Sequence, residues 1–207
     1  MLSIRCLICL ANIDQQAGRS FEVCLRSYQS TAKPASHNTP QAVIAPYFVP
    51  IAYALILLRI DAGRPCVFYA DLYGSSGPDG NHFTPPTSGG MVLPKILLTR
   101  RMYAYGIQID YFDEPDCIGF TRLGHRSQSG GAGLAVIISS GWKFTSKRMN
   151  VGKKHAGEQW TDILRWCWGE VMIDEHGWGI FDVGPRSVSV WASKTALGRN
   201  YLDEMVL

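Results

Sequence analysis

Residues 51–74 read IAYALILLRIDAGRPCVFYADLYG, and this stretch decides how the first half of the chain folds. Residues 51–58 are apolar on every face, which predicts a helix with neighbours all round rather than a surface helix. Gly63 stops that helix and Pro65 forbids its continuation. Cys66-Val67-Phe68-Tyr69 is then a short apolar, β-rich run that ends at Asp71-Leu72-Tyr73-Gly74. A buried helix, a tight turn and a strand buried on both faces make one α-to-β step of a parallel sheet. Ligands meet such sheets at the C-terminal ends of the strands, which makes Asp71 and Tyr73 candidate ligand contacts.

Upstream, no Asp, Glu, Lys or Arg occurs from residue 34 to 58, and the apolar core 43–58 holds Pro46 and Pro50. A bilayer span needs about 20 apolar residues. This core has 16, so a buried helix starting near Pro50 is the better reading and no membrane is expected as a partner. Downstream, residues 91–106 read MVLPKILLTRRMYAYG. Ile96, Leu97, Met102 and Tyr103 alternate with Lys95, Arg100 and Arg101 at helical spacing, and Gly106 closes the element. The intervening loop 75–90 is rich in Gly, Pro and Ser.

After about residue 107 the period changes from helical to two. Short runs at 117–122, 134–139, 147–151, 159–163, 171–173, 179–183 and 187–192 are separated by turn signals such as Ser140-Gly141 and Gly184-Pro185. Ser187-Val188-Ser189-Val190-Trp191 alternates cleanly, which predicts one buried face and one wet face. The sum is an antiparallel sandwich able to fold alone.

Hydrophobic content of 46% and charged content of 18% suit a packed globular protein. A net charge of +3, spread thinly, gives no nucleic-acid footprint. Of the six cysteines, only Cys6 and Cys9 are spaced like a metal or redox pair, and no second close pair completes a zinc site. Arg5 interrupts the apolar N-terminus, which makes a poor signal peptide and points to the cytoplasm rather than secretion.

At this point the words of the sequence become recognisable. YALILLR, GRPCVFYADLYG, RRMYAYGIQIDYFDEPDCIGF, KRMNVGKKHAGEQW and GPRSVSVW occur in this order, and together they resemble the C-terminal portion of α-amylases of glycoside hydrolase family thirteen. The resemblance runs from about residue 46 to 191. It implies an α/β part followed by an all-β part: an incomplete remnant of a TIM (β/α)8 barrel over residues 1–106, an antiparallel β-sandwich C-terminal domain over 107–195, and a tail over 196–207. It also implies a lineage that hydrolyses internal α-1,4-glucosidic bonds of starch or glycogen, with an α-glucan as partner. The oligomeric state is not implied.

The same resemblance implies lost chemistry. A retaining glycosidase needs a nucleophile and an acid/base carboxyl. The motifs that carry them in the family have no counterpart in this chain, and no catalytic residue is intact. Ser36-His37-Asn38-Thr39-Pro40-Gln41 sits where the family has Asn-His-Asp-Thr-Gln-Pro, so Asn38 stands at the position of the third acid. An amide there keeps hydrogen bonding but loses the charge that favours an oxocarbenium-like transition state. His37, Asn38, Asp71 and Tyr73 are the candidate substrate-binding residues. The resemblance further implies that Asp116 aligns with an acid that in some relatives helps hold an interdomain calcium ion; the second acid of that site aligns near Ser140, so no complete metal site and no cofactor are expected.

Other carboxylates, Asp61, Asp79, Asp110, Asp113 and Glu114, offer no obvious replacement pair, and the cluster Asp113-Glu114-x-Asp116 reads as a solvated turn. His125, His155 and His176 are isolated and read as surface or satisfied histidines. Of the six tryptophans, most are expected in the core, with a glucan-stacking surface as the competing reading. A full barrel takes about 250 residues. A piece of one leaves strand edges unpaired, and the helix at 51–58 is expected to lack neighbours. A non-catalytic glucan-binding or regulatory module is the alternative to an inactive amylase relative.

Overall fold

A computed structural model describes residues 45, 47–60, 65–67, 69–76, 83–84 and 92–205. His37, Asn38, Asp61, Asp79 and the Cys6/Cys9 pair lie outside the described residues. The elements are α1 (Phe48–Leu58), α2 (Tyr69–Tyr73), β1 (Ser75–Ser76), β2 (Phe83–Thr84), α3 (Val92–Tyr103), β3 (Gln108–Glu114), β4 (Cys117–Arg122), β5 (Leu134–Ser139), β6 (Thr145–Asn150), β7 (Gln159–Asp162), β8 (Val171–Met172), β9 (Trp178–Val183), β10 (Ser187–Ser193) and α4 (Arg199–Glu204).

The centre is a six-stranded sheet in the order β3-β4-β5-β10-β7-β8. A two-stranded ribbon, β6-β9, packs on one face, and β1-β2 forms a separate small ladder. Every strand pair among the described residues is antiparallel. Successive side chains of a strand point to opposite faces, and the two cores follow that rule. Phe120, Leu134, Val136, Ile138, Val188 and Val190 belong to one core, whereas Ala135, Ile137 and Trp191 belong to the other. The ribbon adds Met149, Phe181 and Val183 to the second core, where Trp160, Phe181 and Trp191 meet edge to face at centroid distances of 6.0 and 5.9 Å. Gly119 of β4 lies under Met149, whose sulfur leaves no room for a Cβ.

The first core contains the answer to the lone helix. α1 is buried at every position except Ala52, and it packs on α3 and on β10 rather than lacking neighbours. α1 and α3 together cover the sheet face that the ribbon leaves open. The layers are therefore helices, sheet and ribbon. This also corrects the expected wet face of β10: Ser189 is fully buried, donates to the Asp182 carbonyl at 2.6 Å and accepts from the Trp191 indole N–H at 2.9 Å. A serine on an apolar strand marks a satisfied polar contact here, not solvent.

The strand expected at 66–69 is not formed. Residues 65–67 have no regular structure, Cys66 is exposed, and Tyr69–Tyr73 is the short helix α2. A strand with no partner alongside leaves its N–H and C=O groups unpaired, whereas a helical turn pairs them locally. The parallel sheet that this strand would have joined is absent among the described residues. The β3 strand escaped sequence reading because it is a charged edge, Gln108–Glu114, with only half-buried apolar positions. Gly106, which closes α3, has φ +79°, and a Cβ there would lie 2.3 Å from the Gly124 carbonyl oxygen.

Buried cations tie the helices to the sheet. The Arg122 guanidinium donates to the Leu58 carbonyl at 3.2 Å and to the Gly106 carbonyl at 3.1 Å. Arg100 donates to the Leu57 carbonyl. Two guanidinium groups thus satisfy the orphan carbonyls at the C-terminus of α1, where the helix dipole also favours positive charge. The region expected as a tail contains α4, held by Arg199, which reaches Thr161 Oγ1 at 2.8 Å and the Ala192 carbonyl at 3.2 Å. Replacing Arg122 by Met keeps the apolar stem but strands these carbonyls, and stability should fall by about 2–3 kcal/mol in urea titration. Arg148→Ala, at an exposed ion pair, should change it by less than about 0.5 kcal/mol.

Candidate functional site

Two of the four candidate substrate contacts fall on α2, and they face different surroundings. Asp71 is buried and accepts a hydrogen bond from the Tyr53 hydroxyl at 2.5 Å. Tyr73 is 59% exposed, with its ring 4.8 Å from that of Tyr69. Asp71 therefore ties α2 to α1, and Tyr73 is the one of the pair open to solvent. His37 and Asn38 lie outside the described residues.

The remaining carboxylates are largely spent on cations. Asp110 pairs with Arg59 at 3.1 Å. Asp113 and Glu114 lie 2.7 and 3.4 Å from the buried Lys147 Nζ. The acidic cluster is thus a clamp on a buried ammonium rather than a plain solvated turn. The Lys147 hydrogen bond holds the Asp113 carboxyl below its usual range. Asp116 is exposed and its carbonyl accepts from Ser140 N–H at 3.0 Å. No group of three His, Cys, Asp or Glu placed to hold a metal occurs among the described residues.

Three polar centres were not visible in the sequence. Asp162, at the end of β7, is buried and accepts four backbone N–H groups, from Leu164 (3.1 Å), Val190 (2.9 Å), Trp166 (2.8 Å) and Cys167 (3.0 Å). Burial pushes its carboxyl up, and the four N–H groups oppose that shift. Lys95 was expected on the polar face of α3, yet it is fully buried, with Nζ 3.5 Å from the Ile163 carbonyl; burial lowers its pKa. His155 is buried, with Nδ1 3.0 Å from both oxygens of Glu158 and its ring against Trp160. Among the described residues its Nε2 has no partner. His125 and His176 are exposed, as expected of surface histidines.

The ladder registers direct four turns toward one end of the sheet: Cys117 and Ser187 both oppose Ser139 at its edge, and Asp162, after which the β7-β8 loop departs on the same side, opposes Trp191 four residues in from Ser187. That rim carries the β3-β4, β5-β6, β7-β8 and β9-β10 connections. Trp142 is 77% exposed, Phe144 74% and Trp168 89%. Arg186 projects between Tyr47 and Trp142, with Cζ 3.7 and 4.3 Å from their ring centroids. Its backbone sits at φ +48°, and its N–H donates to the Gly141 carbonyl at 2.9 Å. Asp116 Cβ would lie 3.7 Å from a Cβ on Gly141. Of the six tryptophans, Trp160 and Trp191 are core, as expected, but Trp142 and Trp168 are not.

Comparison with known proteins agrees with the resemblance read from the sequence. Residues 134–192 match the family model described as α-amylase C-terminal. The chain is 41% identical over 154 residues to the α-amylase of Bacillus licheniformis, covering 74% of this chain and 29% of that protein. It is 43% identical to the α-amylase of Geobacillus stearothermophilus, covering 74% and 26%. Over 166 residues it is 36% identical to the cytoplasmic α-amylase of Escherichia coli K12, covering 76% and 32%. The chain thus spans less than a third of the length of these relatives.

The Glu158 cluster makes an acid-sensitive joint. Burial raises the Glu158 carboxyl, but donation from His155 and from the Trp160 indole N–H outweighs it, and the net shift is downward from 4.5. A depressed folded pKa contributes stability above the unfolded value, and this is lost as pH falls through the lower folded value. Between about pH 5 and about pH 3, the urea midpoint of the wild type should therefore drop more than that of Glu158→Gln. Parallel pH profiles would show that the cluster is not the cause.

Proposed function

We propose that this chain, whose residues 134–192 carry the α-amylase C-terminal domain, is the C-terminal part of an α-amylase-type unit and does not cleave α-1,4-glucosidic bonds by itself. In this reading α1, α2 and α3 are the closing helices of the catalytic barrel, and β3 to β10 are the domain behind it. The observation that carries it is the pairing of 36–43% identity across three quarters of the chain with coverage of 26–32% of the relatives.

The chemistry supports the second half of the proposal. A retaining hydrolase places two carboxyls about 5–5.5 Å apart, one free to attack and one free to donate a proton. Asp71 is held by a tyrosine hydroxyl, Asp110 by Arg59, and Asp113 and Glu114 by Lys147. A carboxylate bound to a cation is a weakened base and nucleophile. Asn38, at the family position of the third acid, adds no charge. Tyr73, exposed on α2, remains able to contact a sugar, whereas Asp71 would have to leave Tyr53 to do so.

The calcium site implied by the resemblance does not fit the residues present. Ser140, where the second acid would align, offers a hydroxyl instead and donates its backbone N–H to the Asp116 carbonyl, and the neighbouring carboxylates are committed to an ammonium group. We therefore place no calcium ion at this junction. The compartment we propose is the cytoplasm, in line with the name of the Escherichia coli relative and with the unpaired thiols of Cys117 and Cys167. A non-catalytic glucan-binding module is the second reading, favoured by the exposure of Trp142 and Trp168.

Incubating the purified chain with soluble starch should release new reducing ends at no more than the rate of a protein-free blank. Dose-dependent release of malto-oligosaccharides would overturn the proposed inactivity.

A further inference from the structure

We propose that the rim formed by the β5-β6, β7-β8 and β9-β10 turns is a surface site for α-1,4-glucan chains, with Trp142 as the stacking ring and Arg186 as the hydroxyl-binding group. The proposal rests on the amylase-type reading for the linkage of the sugar. The geometry of the rim carries the rest.

Single exposed apolar residues are ordinary on a protein surface. Three large aromatic side chains on adjacent turns at one end of one sheet, each at least 74% exposed, are not. Each is presented by a supported turn. Trp168 projects from the loop that Asp162 anchors through the N–H groups of Leu164, Trp166 and Cys167. Phe144 lies against Gly184, where an added Cβ would meet its ring at 3.7 Å. Trp142 is braced from one side by Arg186, which is braced in turn by Tyr47. An amphipathic ring held this way adds contact area at small cost in conformational entropy.

The polar chemistry narrows the ligand. Among the described residues, neither the Arg186 guanidinium nor the Trp142 and Trp168 indole N–H groups have an acceptor. A guanidinium stacked between rings keeps its fork of N–H donors in a fixed plane, which suits paired oxygen acceptors. Paired acceptors of this kind occur in phosphates, carboxylates and the adjacent hydroxyls of a sugar. Asp116, beside Gly141 at the same rim, repels a polyanion but accepts from a hydroxyl. A sugar alone offers both an apolar C–H face for Trp142 and hydroxyls that can both accept and donate. A chain of such units repeats these groups along its length, and weak contacts at Trp142 and Trp168 act together where one chain reaches both.

Binding of maltoheptaose to the full chain, read by isothermal titration calorimetry, tests this. The wild type should bind it with a dissociation constant in the millimolar range or tighter, and cellohexaose at least tenfold more weakly. Trp142→Ala and Arg186→Ala should each weaken maltoheptaose binding at least fivefold, and Trp168→Ala at least twofold. Tyr201→Ala, an exposed ring on α4, should leave it unchanged. These rim positions are exposed or half-buried, and an unaltered thermal midpoint will show that the variants fold. Absence of binding by the wild type, or binding unaffected by both Trp142→Ala and Arg186→Ala, overturns the site. Equal binding of cellohexaose overturns the α-glucan assignment. A dimer in light scattering that Trp142→Ala dissolves also overturns it, because the rim then joins two copies. Starch hydrolysis by the wild type would refute the inactivity proposed above without touching this site.

Discussion

A sheet that is apolar on both faces cannot stand with only one of them covered, and this constraint organises the molecule. β4 and β5 are buried at every position, and β10 at every position after Ser187. The ribbon β6-β9 is too narrow to serve both sides, so the second face falls to α1 and α3. Burial is worth about 25 cal/mol per Å² of apolar surface. A face lined by Phe120, Leu134, Val136, Ile138, Val188 and Val190 is therefore a strong reason for the helices to stay. The helices α1 and α3 and the strands that follow them share one core, because one cluster spans both.

A core built across such a junction must handle the polar groups that the junction traps. The C-terminal carbonyls of α1 meet the guanidiniums of Arg122 and Arg100, and the turn after β7 meets the carboxylate of Asp162. Buried charges are tolerated only where hydrogen bonds surround them. Asp162 has four such bonds, and Arg199 binds two neighbouring strands, at Thr161 and Ala192, and Asp203 of its own helix. Lys95 is less well served, with one long contact, and its lowered pKa is the physical consequence.

The same bonds limit what several of the carboxylates can do chemically. Asp71, Asp110, Asp113 and Glu114 each act as a partner to a hydroxyl or a cation that stabilises the junction. A carboxylate committed to structure is a poor candidate for proton transfer or attack. The large aromatic side chains open to solvent include Tyr73 on α2, and Trp142, Phe144 and Trp168 on the sheet rim.

By itself, the sequence determined the lineage, the change of period near residue 107, seven of the eight strands from residue 107 onward, and the helices at α1 and α3. These follow from local spacing of apolar residues and from unusual words in a fixed order, which survive without knowledge of neighbours. Only the tertiary structure decided that α1 and α3 close the sheet, that residues 66–69 are not a strand, that Ser189 and Lys95 are inside, and that Asp162 organises a loop. A strand requires a partner at its edge, and the burial of a serine or a lysine depends on what packs over it. Trp142 and Arg186 are 44 residues apart in the chain, and no local pattern relates them. Their meeting follows from the pairing of β5 with β10, which places the two turns side by side.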